Sequence, residues 1–197
     1  MFLRRMRSTA NLEEVGLPFD RAPEDVSLIV HFVSNHIVGM YGGLLEAEHL
    51  NIWCPVLEKY RRAIGEYSEN RFASVAPELA RVVAFIDGTV METTRPSRPE
   101  GNLQKVCYRG DMKQHGLLYA AIVSPTDMFM YMSHAYPLAN HDQGIVNVEN
   151  LDVALNCWGE FQILGDSAYL KQSTHFCHIP NAKEARKSNV STTILTP

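Results

Sequence analysis

Two short apolar runs, each leading into an aspartate, hold the residues of this chain best suited to chemistry. Val82-Val83-Ala84-Phe85-Ile86 runs into Asp87-Gly88-Thr89, and Phe161-Gln162-Ile163-Leu164 runs into Gly165-Asp166. If the two runs are neighbouring strands of one sheet, their ends bring two carboxylates to one rim, where hard divalent cations find the oxygen ligands they prefer. Two such metals activate water and stabilise a departing oxygen, so the chemistry open to this rim is phosphodiester cleavage. Taken singly, each aspartate is the ordinary residue of a strand-to-turn junction, where Asp and Gly are favoured. Asp142, after His141 and ahead of a helical pattern, reads singly as an N-cap, a role compatible with metal binding.

The elements that must position these acids follow from periodicity. Residues 82–86 are wholly apolar, as expected of a central strand buried on both faces and ending at Asp87. A polar, proline-containing loop is expected over 93–101. The runs 115–123 and 128–132 are β-capable and joined by Ser124-Pro125-Thr126-Asp127, a turn sequence that predicts a hairpin. From Gln143 to Trp158, Ile145, Val148, Leu151, Leu155 and Trp158 recur at helical spacing, and a strand over 161–164 follows. A helix between strands favours a right-handed crossover and parallel pairing for that last strand. Upstream, Pro23 and the acids after it mark the start of a helix over 25–45. Its stripe of Val26, Ile29, Val33, Ile37 and Leu44 reads as a packing face, because few basic residues lie opposite. A second helix is expected over 54–66, then a linker with a short helical turn to residue 80. The expected organisation is a helical region (1–80), an α/β core (81–175) and an irregular tail (176–197).

Composition bounds the function. A chain of 197 residues, 46% hydrophobic and 20% charged, suits one substantial core or a helical region with one mixed domain. The four cysteines lack any CxxC pair, so reduced thiols are expected rather than a disulfide framework or zinc ribbon. His175, Cys177 and His178 are spaced wrongly for a zinc finger, and the lack of a GxSxG elbow removes the serine-hydrolase reading. No uninterrupted apolar run approaching about eighteen residues stands out, and no signal core follows the basic start MFLRRMRS, so an intracellular protein with no membrane partner is expected. A net charge of -4 argues against nucleic-acid binding through the overall field, so any such contact must be local. The stretch 95–115 holds five basic residues against two acids. Within it Arg95, Arg98, Lys113 and His115 are the candidates for DNA contact. Lys113 and His115 would meet phosphates beside the acids, or else are exposed residues where a strand begins.

The motifs stand in a telling order. Phe85-Ile86-Asp87-Gly88-Thr89-Val90, Arg95-Pro96-Ser97-Arg98, Tyr108-Arg109-Gly110, Lys113-Gln114-His115-Gly116-Leu117, His141-Asp142 and Gly165-Asp166-Ser167-Ala168-Tyr169 together resemble the signature of the PIF/Harbinger-type DDE transposases, which are DDE superfamily endonucleases. The likeness runs from about Tyr60 to Tyr169, and the preceding helices resemble the family's helical leader. It implies an RNase H-like mixed sheet, with Asp87 as the first catalytic acid, Asp166 as the later one and Asp142 as a further metal ligand. It also implies Mg2+, or Mn2+ in its place, a DNA substrate, a separate Myb-like protein partner and a nuclear location. The chain departs from the family pattern at its last acid, a glutamate on a helix beyond the Gly-Asp motif. The 31 residues after Asp166 contain one acid, Glu184, in the unmatched context Ala182-Lys183-Glu184-Ala185-Arg186-Lys187, where a surface role is expected. The resemblance is thus to a nuclease truncated or decayed before its final glutamate, with weak or no cleavage expected. The alternative is an inert, transposon-derived module that binds DNA or a protein.

Overall fold

A long β-strand, β1 (Val82–Glu92), lies at the centre of the sheet. The structure, a computed structural model, describes residues 1–72, 79–96, 102–140, 142–167, 169 and 175–178, the side chains of residues 69–72, 142 and 143 excepted. The chain divides into two compact units, Met1–Leu44 and Leu45–Pro197.

The first unit holds α1 (Phe2–Arg7), α2 (Leu12–Gly16) and α3 (Pro23–Tyr41). Asn11 caps α2 by accepting the Glu14 N–H at 2.8 Å, and Pro23 stands in the first turn of α3, where its missing N–H costs nothing. Val15 and Val26 are fully buried. Of the α3 stripe, Val26 is fully buried, Ile29 and Val33 are half-buried, and Ile37 and Leu44 are exposed. The stretch Pro23–Leu45 is also long and apolar enough, by length and composition, to cross a bilayer. It differs from the expectation of no such run because Ser27, His31, Ser34, Asn35 and His36 interrupt its apolar residues, while no Asp, Glu, Lys or Arg lies over 26–45.

The second unit opens with a 3-10 segment, Ala47–Val56, continued by α4 (Leu57–Phe72). Leu50, Leu57 and Tyr60 from these share one core with Ile86, Ile122 and Ile163 of the sheet. Seven strands form that sheet. After β1 come β2 (Tyr108–Arg109), β3 (Gln114–Val123), β4 (Phe129–Met132), β5 (Tyr136–Pro137), β6 (Gln162–Leu164) and β7 (Phe176–Cys177), in the spatial order β2-β3-β1-β6-β7, with β4 and β5 also on β3. The β3–β4 hairpin forms as expected, and β6 runs parallel to β1. The result is a mixed sheet in an α/β unit.

Three details differ from expectation. Strand β1 does not end at Asp87 but continues to Glu92, held by an eight-residue antiparallel register with β3. The helix expected over 143–158 is broken into α6 (Asp142–Val148), α7 (Leu151–Leu155) and a 3-10 turn, Asn156–Trp158. The break falls at Asn150, whose φ of 49° is left-handed, a conformation that Asn tolerates better than most residues. The tail expected to be irregular from residue 176 begins with the two-residue strand β7, and α5 (Leu103–Val106) and β2 occupy a stretch for which periodicity predicts no element.

Candidate functional site

Alternation along β1 decides where Asp87 points. Ile86 belongs to the buried core, so Asp87 takes the other face, which it shares with the partly exposed Phe85 and the exposed Thr89. A strand interior is a poor place for aspartate. Here the carboxylate is exposed, and its Oδ1 accepts the Gly88 N–H at 2.8 Å.

Asp166 follows the neighbouring strand. In the parallel register of β1 and β6, Phe85 pairs with Leu164. Each aspartate lies two residues beyond that pair, Asp87 still within β1 and Asp166 just past the end of β6. Gly165 settles which way Asp166 faces. Its N–H donates to the Cys177 carbonyl at 3.0 Å, extending the ladder, and a Cβ there would lie 2.7 Å from Ile86 Cγ2 and 2.9 Å from Tyr169 Cδ2. Gly165 therefore faces the core with Ile86, and the next residue, the exposed Asp166, faces the side of Asp87. The Asp166 carbonyl accepts the Tyr169 N–H at 3.2 Å, which turns the chain back and buries Tyr169 against Phe176 at 6.0 Å between ring centroids.

The other candidates are placed differently. Asp142 is the first residue of α6, and its side chain lies outside the described residues, as do Arg98 and Glu184. Ile145 of α6 packs on Leu118 and Ala120, the register partners of Val90 and Gly88, so α6 covers the sheet face opposite to Asp87. Arg95 and His115 line one pocket of about 400 Å³ with Gln104, Lys105 and Tyr108. Lys113 sits exposed in the turn before β3 with a φ of 55°. The expectation that Lys113 and His115 stand beside the acids is corrected by the β1–β3 register. Ala121 faces Asp87, and His115 is six residues away along β3, about 20 Å at the rise of a strand.

The histidine and cysteine near the end of the described chain have structural settings. His175, just before β7, and Cys177 within it are buried: the His175 ring lies 3.4 Å from the Phe161 carbonyl and 3.5 Å from Asn156 Oδ1, and Cys177 Sγ is 3.6 Å from the Ile163 carbonyl. Among the described residues no three His, Cys, Asp or Glu side chains gather as a metal cage. Among the described residues, the acids at this end of β1 and β6 are Asp87 and Asp166, both exposed. That set fits a hard divalent cation such as Mg2+ or Mn2+ better than a thiolate-seeking metal.

One polar cluster escaped the sequence reading. Glu149, just after α6, accepts from Tyr136 Oη at 2.7 Å, from His134 Nδ1 at 3.0 Å and from the His134 backbone N–H at 3.2 Å. Burial acts to raise the Glu149 carboxyl, but the bonds from Tyr136 and His134 outweigh it and hold the group below its ordinary value. Burial and the same carboxylate push Tyr136 up to about 12. Nothing in spacing marks this trio, since it gathers residues from β5, the loop before it and the far end of a helix.

A family model described as DDE superfamily endonuclease matches residues 86–193, a stretch that begins one residue before Asp87 and contains Asp142 and Asp166. No curated protein and no solved structure matches the chain.

Proposed function

The chain belongs to the DDE superfamily endonucleases, and from that premise we propose that residues 81–175 are the front part of a PIF/Harbinger-type transposase nuclease acting on DNA. The observation that carries the proposal is that Asp87 and Asp166 each lie two residues beyond the Phe85–Leu164 pair of two parallel neighbouring strands and are both exposed. The order of strand, antiparallel hairpin, helix and parallel strand supports an RNase H-like sheet.

In this reading Asp87 and Asp166 hold Mg2+ or Mn2+. Bound there, the cation would act as a Lewis acid on a phosphodiester and lower the pKa of water. The protein's own part is to fix two carboxylates through β1 and β6 and to keep their face open to a DNA backbone. Asp142, the first residue of α6, is the proposed further ligand on the resemblance alone. A nuclear location and a Myb-like partner belong to the same proposal and rest on the resemblance alone.

Only one acid, Glu184, follows Asp166 in these 197 residues. A second reading is an inert DNA- or protein-binding module, supported by the absence of three gathered His, Cys, Asp or Glu side chains among the described residues. Calorimetric titration with Mn2+ separates the two. The nuclease reading expects saturable binding that Asp87→Ala abolishes, with slow nicking of plasmid DNA or none. Titration heats that match buffer, with nicking equal to that of Asp87→Ala, would leave the inert module.

A further inference from the structure

The pocket at the far end of β1 combines features that the rim of acids lacks. Its wall is built by the β2–β3 pairing, in which Tyr108 sits opposite His115 with their rings 5.0 Å apart and tilted by 50°. Backbone bonds fix that wall: the Gly116 N–H donates to the Cys107 carbonyl at 2.9 Å, the Thr93 N–H to the His115 carbonyl at 3.0 Å, and the Ala139 N–H to the Val106 carbonyl at 2.9 Å. On the other side, Gln104 Nε2 donates to the Pro96 carbonyl at 2.6 Å while its Oε1 accepts from Arg95 at 3.2 Å, so the amide holds the guanidinium in place.

Charge distinguishes this pocket from its surroundings. Arg109, next to Tyr108 but on the alternate side of β2, is paired with Asp111 at 3.0 Å. Arg95 and Lys105 have no acidic partner among the described residues. Tyr108 is 41% exposed, which leaves ring surface open to a ligand. Two cations, an aromatic surface and an open volume of about 400 Å³ suit one nucleotide. The cations would meet phosphate, and the ring would stack on a base face, which a base stacked inside a duplex does not present.

We propose that Arg95, Lys105, Tyr108 and His115 form a subsite for an unpaired nucleotide of the DNA strand, with Tyr108 as its stacking platform. This rests on the reading of the chain as a DNA-acting nuclease and adds a place for a base outside the duplex, about 20 Å from Asp87, or about six base-pair rises. Base pairs stacked inside a duplex cannot offer a face to Tyr108, and a flush end offers only its last pair. The subsite therefore selects frayed ends, overhangs or extruded bases over intact duplex.

The test uses the full chain in EDTA, so that metal and cleavage play no part, and compares a flush duplex with the same duplex carrying a 2-aminopurine overhang. Wild type is expected to bind the overhang more tightly and to change its fluorescence. Tyr108→Ala is expected to lose about tenfold in overhang affinity and to bind flush duplex unchanged, Tyr108→Phe to behave as wild type, and Lys105→Ala to weaken both duplexes. Equal overhang affinity for Tyr108→Ala and wild type would overturn the proposal, as would full displacement of the overhang by micromolar dAMP, which would assign the pocket to a free nucleotide. Asp87→Asn should leave these results untouched. Loss of Mn2+ binding with an intact Tyr108 effect would thus sink the nuclease reading alone, and the converse would sink the subsite alone.

Discussion

Asp87 and Asp166 each lie two residues beyond the Phe85–Leu164 pair of the parallel strands β1 and β6, and both are exposed. Two carboxylates brought close together repel each other. A divalent cation held between them, as the proposed function requires, would convert that repulsion into binding.

Metal binding should therefore depend on both residues and stability on neither. Asp87→Asn keeps an oxygen to accept the Gly88 N–H, and an exposed substitution of this kind changes stability by no more than about 0.5 kcal/mol. Saturating Mn2+ at about a hundred times its dissociation constant stabilises the folded state by about 2.7 kcal/mol, a rise of several degrees in Tm. Differential scanning fluorimetry should register that rise in wild type and in neither Asp87→Asn nor Asp166→Asn. An equal rise in all three proteins would place the metal elsewhere.

Gly165 links the site to the core, and its replacement should damage the fold. A methyl group there would stand 2.7 Å from Ile86 Cγ2 and 2.9 Å from an atom of the buried Tyr169 ring. Overpacking of this degree costs about 1–3 kcal/mol. Urea denaturation of Gly165→Ala should show a lower midpoint with an unchanged slope, and Ile86→Val in the same chain should recover part of the loss. No loss of stability would mean that β6 can shift, and with it Asp166.

Much of this was legible in the sequence, and the failures share a physical cause. Val82–Ile86 reads as a buried strand because it is apolar throughout, and four of its five residues are buried while Phe85 is 39% exposed. The β3–β4 hairpin is legible because its turn residues lie next to one another. Asp87 reads as a strand end because propensity disfavours aspartate within strands, yet the long register with β3 carries β1 past it to Glu92. β7, of two residues, lies in a polar stretch and exists only because β6 offers it an edge. The Tyr108 pocket was half visible: Arg95 and His115 were candidates by charge, while Gln104 and Tyr108 join them through pairing that no local pattern announces.

Asp142 offers a sharper division between capping and coordination. Asn is as good a helix cap as Asp, so Asp142→Asn should leave the urea midpoint within about 0.5 kcal/mol of wild type. As a proposed ligand, it should weaken Mn2+ affinity at least tenfold in calorimetry. Unchanged affinity would confine the metal site to Asp87 and Asp166 and leave Asp142 as a cap.

Glu149 should make stability depend on acid pH, with a sign fixed by its environment. Its folded carboxyl is held below the ordinary value, since the bonds from Tyr136 and His134 outweigh the burial that acts to raise it. A depressed acid stabilises the fold fully above its unfolded pKa, about 4.3, and that contribution disappears as pH falls through the lower folded value. Glu149→Gln removes the charge but keeps the shape, and should cost about 1–2 kcal/mol at neutral pH, as expected for charge-assisted hydrogen bonds. Chemical denaturation of both proteins from about pH 7 to pH 3 should show a constant gap down to about pH 5, closing below it as wild type also takes up a proton. A gap that stays constant across the whole range would mean that the substituted amide is poorly packed, and that the charge of the Glu149 carboxylate contributes nothing.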